Sequence, residues 1–437
     1  MTTKWTALLA VGMLAMVTAS SSARAEEFDA ATISNQPAST LLLPYFDVTL
    51  KNPDPGTPAG PNTYMTIVNT SASATMAHLT VWSDLGVPVF GFDVYLTGYD
   101  AQEIDLGDVI RNGKLPVTAS AGQDPTDTLS PHGDISQDIN FASCNGILPP
   151  VPLAASELAH VQAALSGQYS AVLGGCAGRS YGDGLARGFV TVDVTNACTL
   201  LSPADVGYFV NGGGGIAGNR NILTGDYAYV NASKGYSEGD SLVAIQTSST
   251  DPETSVAGQY TFYGKHVGFD ASDNRQPLAT LFGSRFRHDD TVFTKGTNLV
   301  AWRDPKVATT AFTCGTTPSW YPLGQEQIVI FDEQEHPVVP VVYPVSPPPP
   351  VPSLIPFPAV ANKVKVGSAA FPVPYENGWV FTNLNTTVTP AGAVPPEDPA
   401  AAQAWVTTVF AGKAVHAGSP SAPMDSATHA SHQHIGF

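Results

Sequence analysis

Short runs rich in β-branched and aromatic residues recur along this chain, cut apart by Pro, Gly, Asn and Asp. TLLLPYFDVTL (40–50), TYMTIVNTS (63–71), TMAHLTVWSD (75–84) and PVFGFDVYLTGYD (88–100) open the series. RGFVTVDVT (187–195), DYAYVN (226–231), DSLVAIQT (240–247) and QYTFYGKHVGF (259–269) continue it. TNLVAWRD (297–304), EQIVIF (326–331), GWVFTNLN (378–385) and AWVTTVF (404–410) complete it. Several alternate in period two: in 75–84, Met76, His78, Thr80 and Trp82 fall on one side, Ala77, Leu79 and Val81 on the other. Successive side chains of a strand point to opposite faces, so such runs predict pleated, half-buried strands.

A single helical pattern, SELAHVQAAL at about 155–166, places Leu158, Val161 and Leu165 on one face, with Ser156 as a candidate cap. About a dozen strands against one short helix exclude the alternating pattern of a parallel α/β fold. The expected fold is all-β, built from two Ig-like or jelly-roll β-sandwich units. The first spans 26–250 with a loop-rich insertion at about 111–186. The second spans 251–410 and includes a Pro-rich connector at 337–358, with ten prolines in twenty-two positions. Such a stretch is stiff and extended and cannot join the middle of a sheet. The small, polar residues 411–437 are expected to form a flexible tail.

The chain opens with Lys4, an apolar centre ALLAVGMLAMVTA (7–19) and Ala23-Arg24-Ala25. That order describes a secretory signal peptide, residues 1–25, whose apolar part is too short to span a bilayer. Removing it takes away Lys4 and Arg24, leaving 17 basic against 37 acidic residues, a net charge of −20. So acidic a surface repels nucleic acid and anionic lipid; neither is an expected partner, and no membrane insertion is expected. Export to the periplasm or cell exterior makes the four cysteines, Cys144, Cys176, Cys198 and Cys314, disulfide candidates. Three pairings are possible; the expected one is Cys144–Cys176 with Cys198–Cys314. No C-x-x-C pair supports a metal site.

Asp124, Asp127, Asp134 and Asp138 are candidate hard-oxygen ligands for calcium, though their spacing is not that of an EF-hand loop. GRSYG (178–182) matches the nucleophile-elbow pattern around Ser180, but loop and then strand follow where a helix is required. GGGIAG (213–218) fits a dinucleotide fingerprint without the helix that would cradle a pyrophosphate, and is expected to be a glycine loop. His429, His432 and His434 would hold a metal only loosely, and His266 is expected to pack on a strand amid aromatics. Asn69, Asn231 and Asn385 sit in N-x-[ST] triplets and otherwise read as turn residues. In EQIVIFDEQEHP (326–337), apolar IVIF gives way to Asp332, Glu333 and Glu335 before Pro337. That is the composition of a buried strand followed by a solvated turn.

HLTVWSDLGVPVFGFDVYLTGYD (78–100), AGQDPTDTLSPHGDISQDINFASC (121–144) and SWYPLGQEQIVIFDEQEHPVVP (319–340) resemble segments of a family of exported bacterial proteins with no assigned activity. The resemblance runs over most of the mature chain and implies a bacterial, exported, sandwich-like protein; it carries no catalytic residue across. The expected function is therefore non-enzymatic. The chain would be a structural or binding protein presenting sandwich loops or edges to a protein or glycan ligand. The alternative is a secreted hydrolase acting on a polysaccharide or ester, with acids from 124–138 or 326–335, or with Ser180.

Overall fold

The computed structural model describes residues 36–116, 152–209, 215–247, 261–266, 274–288, 296–305, 307–324, 327–338, 356–384, 403–411, 416–420 and 422–423. The first half contributes β1 (Thr40–Thr49), β2 (Pro61–Asn69), β3 (Thr75–Ser83), β4 (Pro88–Leu96) and β5 (Ala101–Asp105). Then come α1 (Leu106–Asn112), α2 (Ala155–Leu165), β6 (Leu185–Thr195), β7 (Leu223–Asn231), β8 (Tyr236–Ser241) and β9 (Val243–Ile245). The second half holds β10 (Leu281–Arg287), β11 (Gly296–Arg303), β12 (Gln327–Phe331), β13 (Pro337–Val338) and β14 (Ala361–Lys365). It ends with β15 (Asn377–Asn383), β16 (Ala404–Ala411), β17 (His416–Pro420) and β18 (Ala422–Pro423).

These strands form four antiparallel sheets, the mostly-β arrangement of sandwich domains. In the first half the orders are β4-β3-β6-β1-β9 and β5-β2-β7-β8. In the second they are β13-β12-β15-β10-β18 and β14-β11-β16-β17. Strands of each half pair only within that half among the described residues. Two of the strands, β17 and β18, lie within the stretch expected to be a tail; β17 lengthens the sheet beside β16, and β18 pairs with β10.

Among the described residues two α-helices stand where one was expected. The first, α1, has seven residues, too few to display a periodicity. Its signals are local: the Asp105 carboxylate accepts the N–H groups of Gly107 (2.7 Å) and Asp108 (3.2 Å), and Gly113 closes it at φ 69°. In α2, Ser156 is not the cap. The cap position is Ala154, whose N–H is taken by Glu157 Oε2 at 3.1 Å. The run 259–269 is not a strand where it is described. Residues 261–266 turn back through Gly264 N–H to Thr261 O and His266 N–H to Tyr263 O, so that Phe262 and Tyr263 are both buried. A pleated strand would have sent these neighbours to opposite faces.

The alternation of β3 has an unexpected outcome: all nine of its residues are buried. Leu79 lies opposite Val192, and Val192 opposite Leu41, an apolar row on one face. The other face carries His78, Thr80 and Trp82, which in an isolated sandwich would meet water. Here the second half covers it. Trp82 stacks on Phe189 and on His266, and Phe262 stacks on Trp302. Each such ring, taken fully from water, contributes roughly 1.5–3 kcal/mol.

Candidate functional site

The expected disulfide pairing is corrected: Cys176 bonds Cys314, which excludes both Cys144–Cys176 and Cys198–Cys314. The reason is a short antiparallel bridge. Cys176 N–H donates to Phe312 O (2.8 Å) and Phe312 N–H to Cys176 O (2.9 Å), bringing the two Cα atoms within 5.1 Å. Cys198 is also disulfide-bonded. Cys144, the calcium candidates Asp124, Asp127, Asp134 and Asp138, the tail histidines 429, 432 and 434, and Asn385 lie outside the described residues.

The other candidates resolve into local structure. In the hairpin between β12 and β13, Asp332 accepts the N–H groups of Gln334 and His336 at 2.8 and 2.9 Å, and Glu333 pairs with Arg285. It is the solvated turn its composition predicts. In the glycine loop, Gly218 N–H donates to Val194 O and Ala217 N–H to Tyr208 O, so the described part lies on β6 with no helix behind it. Asn69 is buried, donating to Ser73 O and Thr97 O, and Asn231 caps a short turn through Lys234 N–H. His266 is on a 3-10 turn, not a strand, and its face on Trp82 lowers its pKa well below the ordinary value by burial, with Lys265 adding to the effect. Ser180 is exposed, and its hydroxyl accepts from Gln168 Nε2 at 3.0 Å.

Strand register assembles a polar row that no motif signals. Asp93 pairs with His78, His78 with Asp193 and Asp193 with Thr40, one residue from each of β4, β3, β6 and β1. His78 Nδ1 lies 2.8 Å from Asp93 Oδ1. Asp193 accepts from Tyr208 (2.7 Å), Tyr263 (2.9 Å) and Thr40, and faces Arg275 at 3.4 Å. An acid, an imidazole and a second acid in line are suggestive of proton transfer. Yet Asp93, His78 and Asp193 are all buried beneath Tyr208, Tyr263 and Arg275, and a reacting group needs a substrate within hydrogen-bond reach. The row is a clamp between the halves. The nearby recess among Trp82, Phe189, Phe262 and Trp302, about 240 Å³ including its open side, is walled by buried rings.

The second cluster is at the surface. The loop 166–184 of the first half is anchored from below by Asp84. Asp84 Oδ1 accepts the Arg179 N–H (2.9 Å) and Oδ2 accepts the Tyr181 hydroxyl (3.2 Å). The Asp84 backbone carbonyl in turn accepts the N–H groups of Val360 and Ala361, both at 3.0 Å. Gly178 is required here, since a Cβ would stand 2.8 Å from Asp84 Oδ1. Burial pushes the Asp84 carboxyl up to about 6, against the pull of Arg179 and the Tyr181 hydroxyl. Alongside, the segment 313–322 of the second half is held by Cys314 and by Trp320 Nε1, which donates to Leu85 O at 3.2 Å. Outward from these anchors stand Gln168, Tyr169 (62% exposed), Ser180, Tyr181 (43% exposed) and the partly exposed Arg179 and Tyr321. Arg187 lies 4.2 Å from the Tyr181 ring centre, with its guanidinium paired to Asp183.

Of this surface the sequence motifs single out only Ser180. The available signal was compositional: SGQYSAVLGGCAGRSYGDG (166–184) is rich in Tyr, Ser and Gly, the residues of adaptable, aromatic-anchored binding loops. No family model, curated protein or solved structure matches the chain.

Proposed function

We propose that this chain is an exported bacterial β-sandwich protein of the periplasm or cell exterior. Its role is non-enzymatic: it binds a glycan or protein ligand on the loop surface joined by Cys176–Cys314. The single observation behind this reading is the double anchoring of that surface. A disulfide and the Asp84 carboxylate fix loops from both halves, while Gln168, Tyr169, Ser180 and the ring of Tyr181 are exposed and Arg179 and Tyr321 partly so. Rigid loops presenting exposed rings lose little entropy on binding, which is how a preorganised recognition surface works. The disulfide also suits an oxidising compartment, in keeping with the signal-like residues 1–25. Among the described residues no helix is long and apolar enough to cross a membrane.

The test is capture of a glycan panel by residues 26–437, compared with a Gln168→Ala/Tyr169→Ala variant. Binding of at least one glycan class, weakened tenfold or more in the variant, is expected. Equal capture by both proteins removes the surface from consideration.

One contact favours the hydrolase alternative. His160 Nε2 lies 3.0 Å from the Val89 carbonyl, so it carries the proton, and Nδ1 accepts the Ser170 hydroxyl at 2.7 Å. Both residues are buried. Ester turnover abolished by Ser170→Ala would establish that reading in place of the binding one.

A further inference from the structure

Arg179 is treated differently from its neighbours. Among the described residues Arg187 is paired to Asp183, Arg275 to Asp193 and Arg285 to Glu333, while Arg303 donates to main-chain carbonyls. The Arg179 guanidinium donates to no oxygen of the described chain. Its contacts are two rings, Tyr181 with its centre at 4.8 Å and Tyr321 at 5.2 Å. Ring contacts use the cation's charge and leave its N–H donors unspent. In a chain with 37 acids to 19 bases, a partly exposed guanidinium that forms neither an ion pair nor a hydrogen bond stands out, with Asp84 close enough to feel its charge but bound only to its backbone N–H.

The backbone that carries this side chain is also held in place. Its own N–H is bound by Asp84, and Gly167 packs so closely that a Cβ there would stand 2.3 Å from the Arg179 carbonyl carbon. Two rings from different halves flank the cation, and the disulfide at Cys176 fixes their relative position. A planar fork so arranged matches a carboxylate bidentately.

The surroundings narrow the ligand. Gln168 and Ser180 offer neutral donors and acceptors, and the exposed Tyr169 offers a ring, a set suited to a polyhydroxylated sugar. A long polyanion would be repelled by the whole chain's net charge of −18, whereas a short acidic saccharide carries one carboxylate per sugar, and a single one of these meets the unpaired Arg179. We infer that Arg179 is the carboxylate-recognition residue of a site for uronic-acid saccharides, framed by Tyr181, Tyr321, Gln168 and Tyr169. This rests on the loop surface being the binding face.

The experiment is titration of the mature protein with digalacturonate, its methyl ester and the neutral digalactose, followed by calorimetry. Digalacturonate is expected to saturate the protein, with the ester and the neutral sugar at least tenfold weaker. Arg179→Gln, which keeps the N–H bound to Asp84, should weaken the acid at least tenfold and leave the melting temperature within about 2 °C. Arg179→Lys, with charge but no fork, should fall between. Absence of digalacturonate binding, equal binding of acid and ester, or an unchanged Arg179→Gln overturns the inference. A neutral glycan bound in place of the acid overturns it while leaving the loop surface as the binding face.

Discussion

The carboxylate of Asp84 and the hydroxyl of Tyr181 meet at 3.2 Å, joining the turn after β3 to the loop that carries Arg179. Asp84 is buried, and its carboxyl sits at about 6 against an ordinary 3.8. A carboxyl raised on folding binds its proton more tightly in the native state, so stability falls as pH climbs from about 4 to about 6 and is level above. The displacement is on the order of 3 kcal/mol. Urea unfolding of wild type and Asp84→Asn at pH 4, 5, 6 and 7 should show wild type losing ground to the variant as pH rises. A constant difference across the series would mean that Asp84 titrates at its unfolded value.

Cys176 and Cys314 are 138 residues apart, and their bond ties the halves beside the loop surface. Cross-linking so long a loop restricts the unfolded chain strongly, and native disulfides contribute about 2–5 kcal/mol. Cys176→Ser/Cys314→Ser should therefore unfold at lower denaturant concentration by that amount. The loss should be matched by faster proteolysis within 166–184 or 313–322.

Asp193 answers the charge of Arg275 inside the protein while accepting from two tyrosines. Asp193→Asn leaves a guanidinium buried without its counter-charge. Removal of one partner from a buried pair costs about 3–5 kcal/mol. Chemical denaturation would read the loss, and Asp193→Asn/Arg275→Met should recover part of it.

Lys363 on β14 reaches Glu238 of β8 at 3.5 Å and Asp47 of β1 at 3.8 Å, with the Tyr229 ring centre 4.6 Å from its Nζ. Burial lowers the lysine's pKa, but the two carboxylates more than reverse this and raise it. Burial pushes Glu238 up to about 7, with Lys363 drawing it back. Lys363→Met should cost about 3 kcal/mol at pH 8, where Glu238 is ionised, and less at pH 5, where Glu238 is protonated. Equal losses at the two pH values would separate Glu238 from the effect.

Much of this architecture is local and therefore legible in the residues themselves. Period-two alternation marks β3 and β6, the acid-to-proline change after Phe331 marks the hairpin, and Val161 and Leu165 mark the buried side of α2. Each is decided by chemistry within a few neighbours: pleat geometry, turn solvation and helix spacing. The partner of Cys176, the row Asp93–His78–Asp193–Thr40 and the roof over Trp82 depend on residues that meet only when strands far apart in the chain find their register. Pairing is non-local, so a strand's pattern tells which side chains share a face without saying what covers it. The same holds for Arg179. Its chemistry is written in its side chain, but that its guanidinium meets two rings and no acceptor oxygen of the described chain follows from where Asp84, Tyr181 and Tyr321 converge.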